Sequence, residues 1–305
     1  MTRSVALAHT IRHDDGTTSG VWGGYELKSA FQPIFAFDDG KLRIAAFEGL
    51  IRPFKNGSGV SPGVFFGAIP AQDRMHVETL ARTLHLLNGG RLMDRRACLF
   101  VNFDPSLFRD HAVTDTVLRD MRIVLHEAEV QPERLVCEVT ERRSGSESAL
   151  FDFVAALRTH GFRVAVDDYG AEDSDMARIE RLRPDIVKFD AQWITALMRS
   201  GPGFGLLSAM VRTFADQGIE TVFEGIEEGW QLELAERSGA SMVQGFVLAR
   251  PELVPANFAS FPFAEPKRVA PAAAAAPVDD SRSTAPVVQP PTRPVRAFGR
   301  RVAAV

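Results

Sequence analysis

Eight short apolar runs are spaced through the middle of the chain. They are FQPIFAF (31–37), IAAFEGLIR (44–52), CLFVNFD (98–104), RLVCEVTE (134–141), FRVAVDDYG (162–170), DIVKFD (185–190), ETVFEGIE (220–227) and MVQGFVLAR (242–250). Each is nearly continuous in Val, Ile, Phe and Leu rather than alternating with polar residues. That is the pattern of strands covered on both faces. Amphipathic stretches fall between most of them: SALFDFVAALRTHG (148–161), closed by a glycine stop, QWITALMRS (192–200) and GLLSAMVRTFADQG (205–218). Roughly eight strands alternating with helices over about 230 residues predicts a (β/α)8 TIM-type barrel. An open doubly wound sheet is the runner-up, and no solenoid repeat is visible.

The pattern fails at both ends. Residues 1–24 show no sustained periodicity and are expected to be loosely ordered. The barrel domain is expected over 25–258. From 264 to 305 the sequence turns to Ala, Pro and Arg with almost no aromatic residue, a composition that cannot bury enough apolar area to offset ordering entropy. A disordered tail is expected there. Its arginines (Arg293, Arg296, Arg300, Arg301) suit an acidic partner or membrane surface, although a solvated tail is the plainer reading.

Composition then excludes several classes. With 305 residues, 45% hydrophobic and a formal charge of −4, the chain can fill a large core. It is not built to coat DNA, RNA or an anionic membrane. Cys98 and Cys137 lie in apolar contexts and the seven histidines are scattered without ligand spacing, so a zinc site is not expected. No secretory leader and no run near the ~20 apolar residues of a spanning helix is present, and the expected location is cytoplasmic.

Candidate chemistry sits near the C-terminal ends of the apolar runs: Gln32, Glu48, Asn102, Glu138, Asp167 with Asp168, Lys188, Glu224 and Gln244. In a barrel these ends share one mouth. Carboxylates converging there repel, and the natural counter-charge is a hard divalent cation, Mg²⁺ or Mn²⁺, held by oxygen. Plainer roles compete: Asn102 as a helix cap, and Lys188 as a structural ion-pair partner of Asp190. Glu227 and Glu141, each three residues beyond another glutamate, suit support of the ligands rather than ligation. P-loop, G-x-S-x-G and H-E-x-x-H motifs are absent.

The series FQPIF, FEGLIR, VNFD, CEVTE, VDDYG, VKFD, FEGIE and QGFVLARP resembles the EAL domain family over about residues 25–255. That family comprises bacterial phosphodiesterases that linearise cyclic di-GMP. The resemblance implies two ions: one held by Glu48, Asn102, Glu138 and Asp167, the other sharing Asp167 and adding Asp168 and Glu224. It implies that Lys188 orients the attacking water, that Gln244 and Glu227 support metal-bound water, and that Arg52 and Gln32 meet the substrate. A homodimer is implied as well. This sequence departs from the family at Gly49 (family alanine), Pro53 (family tryptophan), Ala171 (family threonine, facing Glu141) and Glu172 (family glycine). The direct ligands are untouched. The altered loop keeps a second reading open, that of a weak or inactive EAL domain acting as a cyclic di-GMP receptor or protein-interaction module.

Overall fold

The structure is a computed structural model and describes residues 5–140, 147–171 and 176–264. Along the chain run β1 (Thr10–Arg12), β2 (Thr18–Trp22), β3 (Tyr25–Asp38), β4 (Lys41–Lys55), β5 (Ser58–Gly59), α1 (Pro62–Gly67) and α2 (Arg74–Leu92). Next come β6 (Cys98–Phe103), α3 (His111–Glu127), β7 (Leu135–Thr140), α4 (Glu147–Thr159), β8 (Arg163–Tyr169), α5 (Met176–Leu182) and β9 (Ile186–Phe189). The series closes with α6 (Ala191–Met198), α7 (Gly201–Asp216), β10 (Glu220–Phe223), α8 (Gly229–Ser238), β11 (Met242–Val243) and β12 (Glu252–Leu253).

Strands β3, β4, β6, β7, β8, β9, β10 and β11 close into a barrel, with β3 hydrogen-bonded to both β4 and β11. The barrel is mixed. β3 is antiparallel to both neighbours, while every other barrel pairing is parallel. The strand–helix alternation is therefore broken once, between β3 and β4. There Asp39 (φ 48°) and Gly40 (φ 72°) make a tight hairpin turn. Two successive left-handed residues match the twist of the flanking strands, and Asp-Gly is suited to them.

The barrel interior holds a layer of one or two apolar residues per strand: Ile34 and Ala36, Ala46, Phe100, Val136, Ala165, Ile186, Val222 and Met242. A larger apolar layer lies between strands and helices, including Phe35, Phe47, Leu99, Val139, Phe189 and Phe223.

Residues 10–22 are not loose. β1 and β2 form a hairpin that extends β3 beyond the barrel. The long outer halves of β3 and β4 then build a small lobe with α1 and α2 around Leu27, Ile51, Phe65, Leu80 and Leu84. Gly20 of β2 lies so close to α2 that a Cβ there would stand 3.1 Å from Leu84 Cδ1. At the other end the packed domain runs past the expected limit of 258. Ile44 N–H donates to Pro262 O at 2.7 Å and Ala264 N–H to Ile44 O at 2.8 Å, and Phe258, Phe261 and Phe263 pack on Phe47 and Phe35. The Arg-rich tail, like Glu141, Glu172, Asp173 and Asp175, lies outside the described residues.

Candidate active site at the barrel mouth

Strand periodicity puts the polar residues where they are. Glu48, Asn102, Glu138, Asp167, Lys188, Glu224 and Gln244 each follow by two positions an interior apolar residue, in order Ala46, Phe100, Val136, Ala165, Ile186, Val222 and Met242. Gln32 precedes Ile34 by two, as the reversed direction of β3 requires. Side chains two apart share a face. The eight residues thus form the next layer of the same stack, at the mouth.

Lys188 is at the centre of that layer and is 1% exposed. Its Nζ lies 2.5 Å from Glu138 Oε1, 2.6 Å from Glu224 Oε1, 3.2 Å from Asp167 Oδ1 and 3.9 Å from Glu48 Oε2. Asp190 caps α6 through Trp193 N–H (2.9 Å) instead of pairing with Lys188. Burial by itself would strip the proton from Lys188, but Asp167, Glu138, Glu224 and Glu48 outweigh it and hold the ammonium charged. The carboxyls feel the converse. Burial, with Asp167 and Glu48 adding, pushes Glu224 up to about 8 against the pull of Lys188. Burial likewise raises Glu138 well above the usual carboxyl range.

Asp167 and Asp168 are consecutive, so an unbroken strand would turn one of them away from the mouth. The β8–β9 register instead shifts between Val166 and Tyr169, and Asp168 takes φ 59°. This bulge re-aims the pair. Carboxylate oxygens of Asp167, Asp168 and Glu224 come within 4.8 Å of one another. Gly170 (φ 96°) completes the turn under Trp193, where a Cβ would stand 2.4 Å from the indole.

The donor set fits a divalent cation. Glu48, Glu138, Asp167, Asp168 and Glu224 supply five carboxylates against the single ammonium of Lys188. Gln244 Nε2–H donates to Glu48 Oε2 at 2.8 Å, which fixes the amide, and its buried Oε1 is left without a hydrogen-bond partner, as is Glu138 Oε2. Orphaned buried oxygens beside excess negative charge are what a hard cation satisfies.

The remaining predicted residues spread around this centre. Asn102 is exposed and opens with Asp167, Asp168 and Arg52 onto a cleft of about 590 Å³ between the lobe and the mouth. The cap of the turn after β6 is Asp104, not Asn102. Arg52 is half-buried in the cleft wall and donates through Nη1 to Ile51 O at 3.0 Å. On the other side, Gln32, Glu48, Glu224, Glu227 and Gln244 line a recess of about 200 Å³. Gln32 Nε2–H donates to Ala249 O at 3.1 Å, and Glu227 N–H to Gln231 Oε1 at 2.8 Å. A larger concavity of about 960 Å³ near Arg12, Arg91 and Arg122 carries none of these residues.

Two cleft residues escaped the sequence reading. Arg82 of α2 is buried, stacked 4.3 Å over Phe103, paired with Glu78 (3.4 Å) and donating to Asn102 O. His85 lies one turn on and also lines the cleft. The available signal was weak: Arg82, Thr83 and His85 interrupt the otherwise apolar LARTLHLL.

The pattern of the EAL domain matches residues 23–251. Among curated proteins, the EAL-domain containing protein YkuI of Bacillus subtilis is 29% identical over 226 residues, 72% of this chain and 54% of its own. The probable cyclic di-GMP phosphodiesterase PdeN of Escherichia coli is 25% identical over 223 residues, 73% of this chain and 43% of its own. This chain therefore spans about half the length of these relatives. Among solved structures, Klebsiella pneumoniae BlrP1 in a calcium and cyclic di-GMP complex superposes with a TM-score of 0.66 at 29% identity, covering 74% of this chain and 56% of BlrP1. YkuI in complex with substrate cyclic di-GMP and calcium gives 0.65 at 26% identity, with the same two coverages. With three-quarters of its length matched in sequence and its barrel matched in space, the chain belongs to the EAL-domain family.

Proposed function

We propose that the chain is a cytoplasmic phosphodiesterase that opens cyclic di-GMP to linear pGpG using two divalent cations, Mg²⁺ or Mn²⁺. The observation that carries this reading is the convergence of four carboxylates on Lys188, with Asp168 grouped beside two of them, next to an arginine-bearing cleft. The relatives named above support the substrate: PdeN is named for cyclic di-GMP, and BlrP1 and YkuI are recorded with it bound. Glu48, Asn102, Glu138 and Asp167 would hold one ion, and Asp167, Asp168 and Glu224 the other. Bound there, such ions would supply Lewis acidity that eases deprotonation of a water near neutral pH and offsets negative charge on the phosphoryl group.

The chain's own groups do the positioning. Lys188, held charged among acids, orients a water by donating to it. Gln244, already donating to Glu48, keeps a buried acceptor oxygen unused. Glu227 and Gln32 line the same recess as Glu48 and Gln244. The guanidinium of Arg52 matches a phosphate with two parallel donors.

Ala171 and Glu172 favour a second reading, since the family's threonine and glycine are missing from the loop after Asp168. In that case the chain binds cyclic di-GMP without turnover. Incubating purified protein with cyclic di-GMP and Mg²⁺ or Mn²⁺ and separating the products decides between them. Linear pGpG is expected. Binding without product supports the receptor, and absence of binding removes both. Glu48→Ala is expected to abolish turnover; near-full rate in that variant would contradict the ligand assignment.

A further inference from the structure

A buried chain of hydrogen bonds runs from the N-terminal hairpin to the cleft, and its direction is fixed. Thr18 N–H, a backbone donor, gives its hydrogen to Asn88 Oδ1 at 2.7 Å. That sets the orientation of the Asn88 amide. Asn88 Nδ2 must then be the donor in its other two bonds, to Thr18 O at 2.8 Å and to Ser29 Oγ at 3.1 Å. Ser29 Oγ accepts from Asn88, so its own hydrogen is available to His85 Nδ1, 3.0 Å away. Ser29 and Asn88 are fully buried and His85 nearly so, and leaving that hydroxyl hydrogen unused would orphan a buried donor. His85 Nδ1 therefore accepts, and the ring hydrogen sits on Nε2. The ring lines the cleft together with Arg52, Asn102 and Asp168.

We propose that His85 is a substrate-positioning residue whose neutral Nε2–H donates to an acceptor oxygen of the cyclic dinucleotide beside Arg52. The proposal rests on the phosphodiesterase or receptor reading for the identity of the ligand, but not for the tautomer. Gly49 belongs to the same device. A Cβ at position 49 would stand 2.7 Å from His85 Cγ, so the glycine that replaces the family's alanine is what admits the ring. Burial, reinforced by Arg52 and Arg82, holds His85 at a pKa of about 3, so the donor stays neutral across the physiological range. The relay begins at Thr18, outside the matched segment 23–251, which ties the added hairpin to the site.

Two measurements test this. In ¹⁵N-labelled, ligand-free protein, long-range ¹H–¹⁵N correlation of His85 should show hydrogen on Nε2 and none on Nδ1; the reverse tautomer overturns the proposal. In EDTA, which removes the cations and so prevents turnover, calorimetric titration with cyclic di-GMP should show His85→Ala binding about tenfold more weakly than wild type, as expected for one lost donor in a desolvated cleft. His85→Gln, which keeps an N–H near the same place, should recover most of that loss. Undiminished affinity in His85→Ala with normal wild-type binding overturns the role of His85 alone. Absence of wild-type binding overturns the nucleotide assignment as a whole, and the tautomer result then stands by itself.

Discussion

At Lys188 one buried ammonium lies within 3.9 Å of four largely buried carboxylates. Removing one member of a buried charge cluster leaves the others uncompensated, a cost of about 3–5 kcal/mol. Lys188→Met in metal-free buffer should therefore lower the unfolding free energy by roughly that amount, read from urea denaturation with EDTA present. An unchanged midpoint would mean that the carboxyls neutralise themselves by protonation. His85 gives a second residue-scale prediction. Its folded pKa of about 3 lies below the ordinary 6.5, so the unfolded chain takes up a proton that the folded one refuses. Its contribution is complete above pH 6.5 and is lost as pH falls from 6.5 toward 3, at about 1.4 kcal/mol per unit. Urea midpoints followed across that interval should fall less steeply in His85→Gln, and parallel curves would contradict the assignment. At this scale the strand-end residues were legible because two-residue spacing from an apolar plug needs only the sequence. Arg82 and His85 were not, because nothing in a helical stripe says that its polar members face a cleft.

Among the elements, β4 and α2 meet at Gly49. A methyl at position 49 forces the His85 ring or the strand to move, and overpacking of this kind costs about 1–3 kcal/mol. Gly49→Ala should be destabilising in the wild-type background and much less so with His85→Ala, a non-additivity that a double-mutant cycle in urea measures. Simple addition of the two effects would show that the ring relaxes freely. The hairpin between β3 and β4 and the bulge at Asp168 mark the limits of pattern reading. Asp-Gly in FAFDDGKLRI signals a tight turn, which joins only antiparallel strands, while the continuous hydrophobicity on both sides reads as parallel strands, so the two local signals conflict. The α7 helix likewise begins at Gly201, capped by Ser200, because its GPGFG opening is tolerated in a first turn although it resembles a loop.

Over the molecule as a whole, cation binding and the N-terminal hairpin bear on stability in different ways. A divalent ion that binds only the folded chain adds about 2.7 kcal/mol at a hundred times its Kd, so Mg²⁺ or Mn²⁺ should raise the melting temperature by roughly 5–10 °C. Glu138→Gln should blunt that shift in differential scanning fluorimetry, and an equal shift in both proteins would place the ions elsewhere. Truncation to Gly23, the edge of the matched segment, removes Thr18 from Asn88 and uncovers the Leu80 and Leu84 face. The shortened chain should melt several degrees lower.

The sequence by itself determined the barrel, the order of its strands and the ring of polar residues at one end, because burial on both faces and a two-residue repeat are local properties of the chain. Only the tertiary structure decided that the outer halves of β3 and β4 carry a second lobe, that residues 10–22 join the sheet and that Asp167 and Asp168 reach the same point. It also decided that His85 meets Ser29 on one side and the cleft on the other. Each of those outcomes depends on partners distant in sequence, and the energy of a contact is not written in either partner alone.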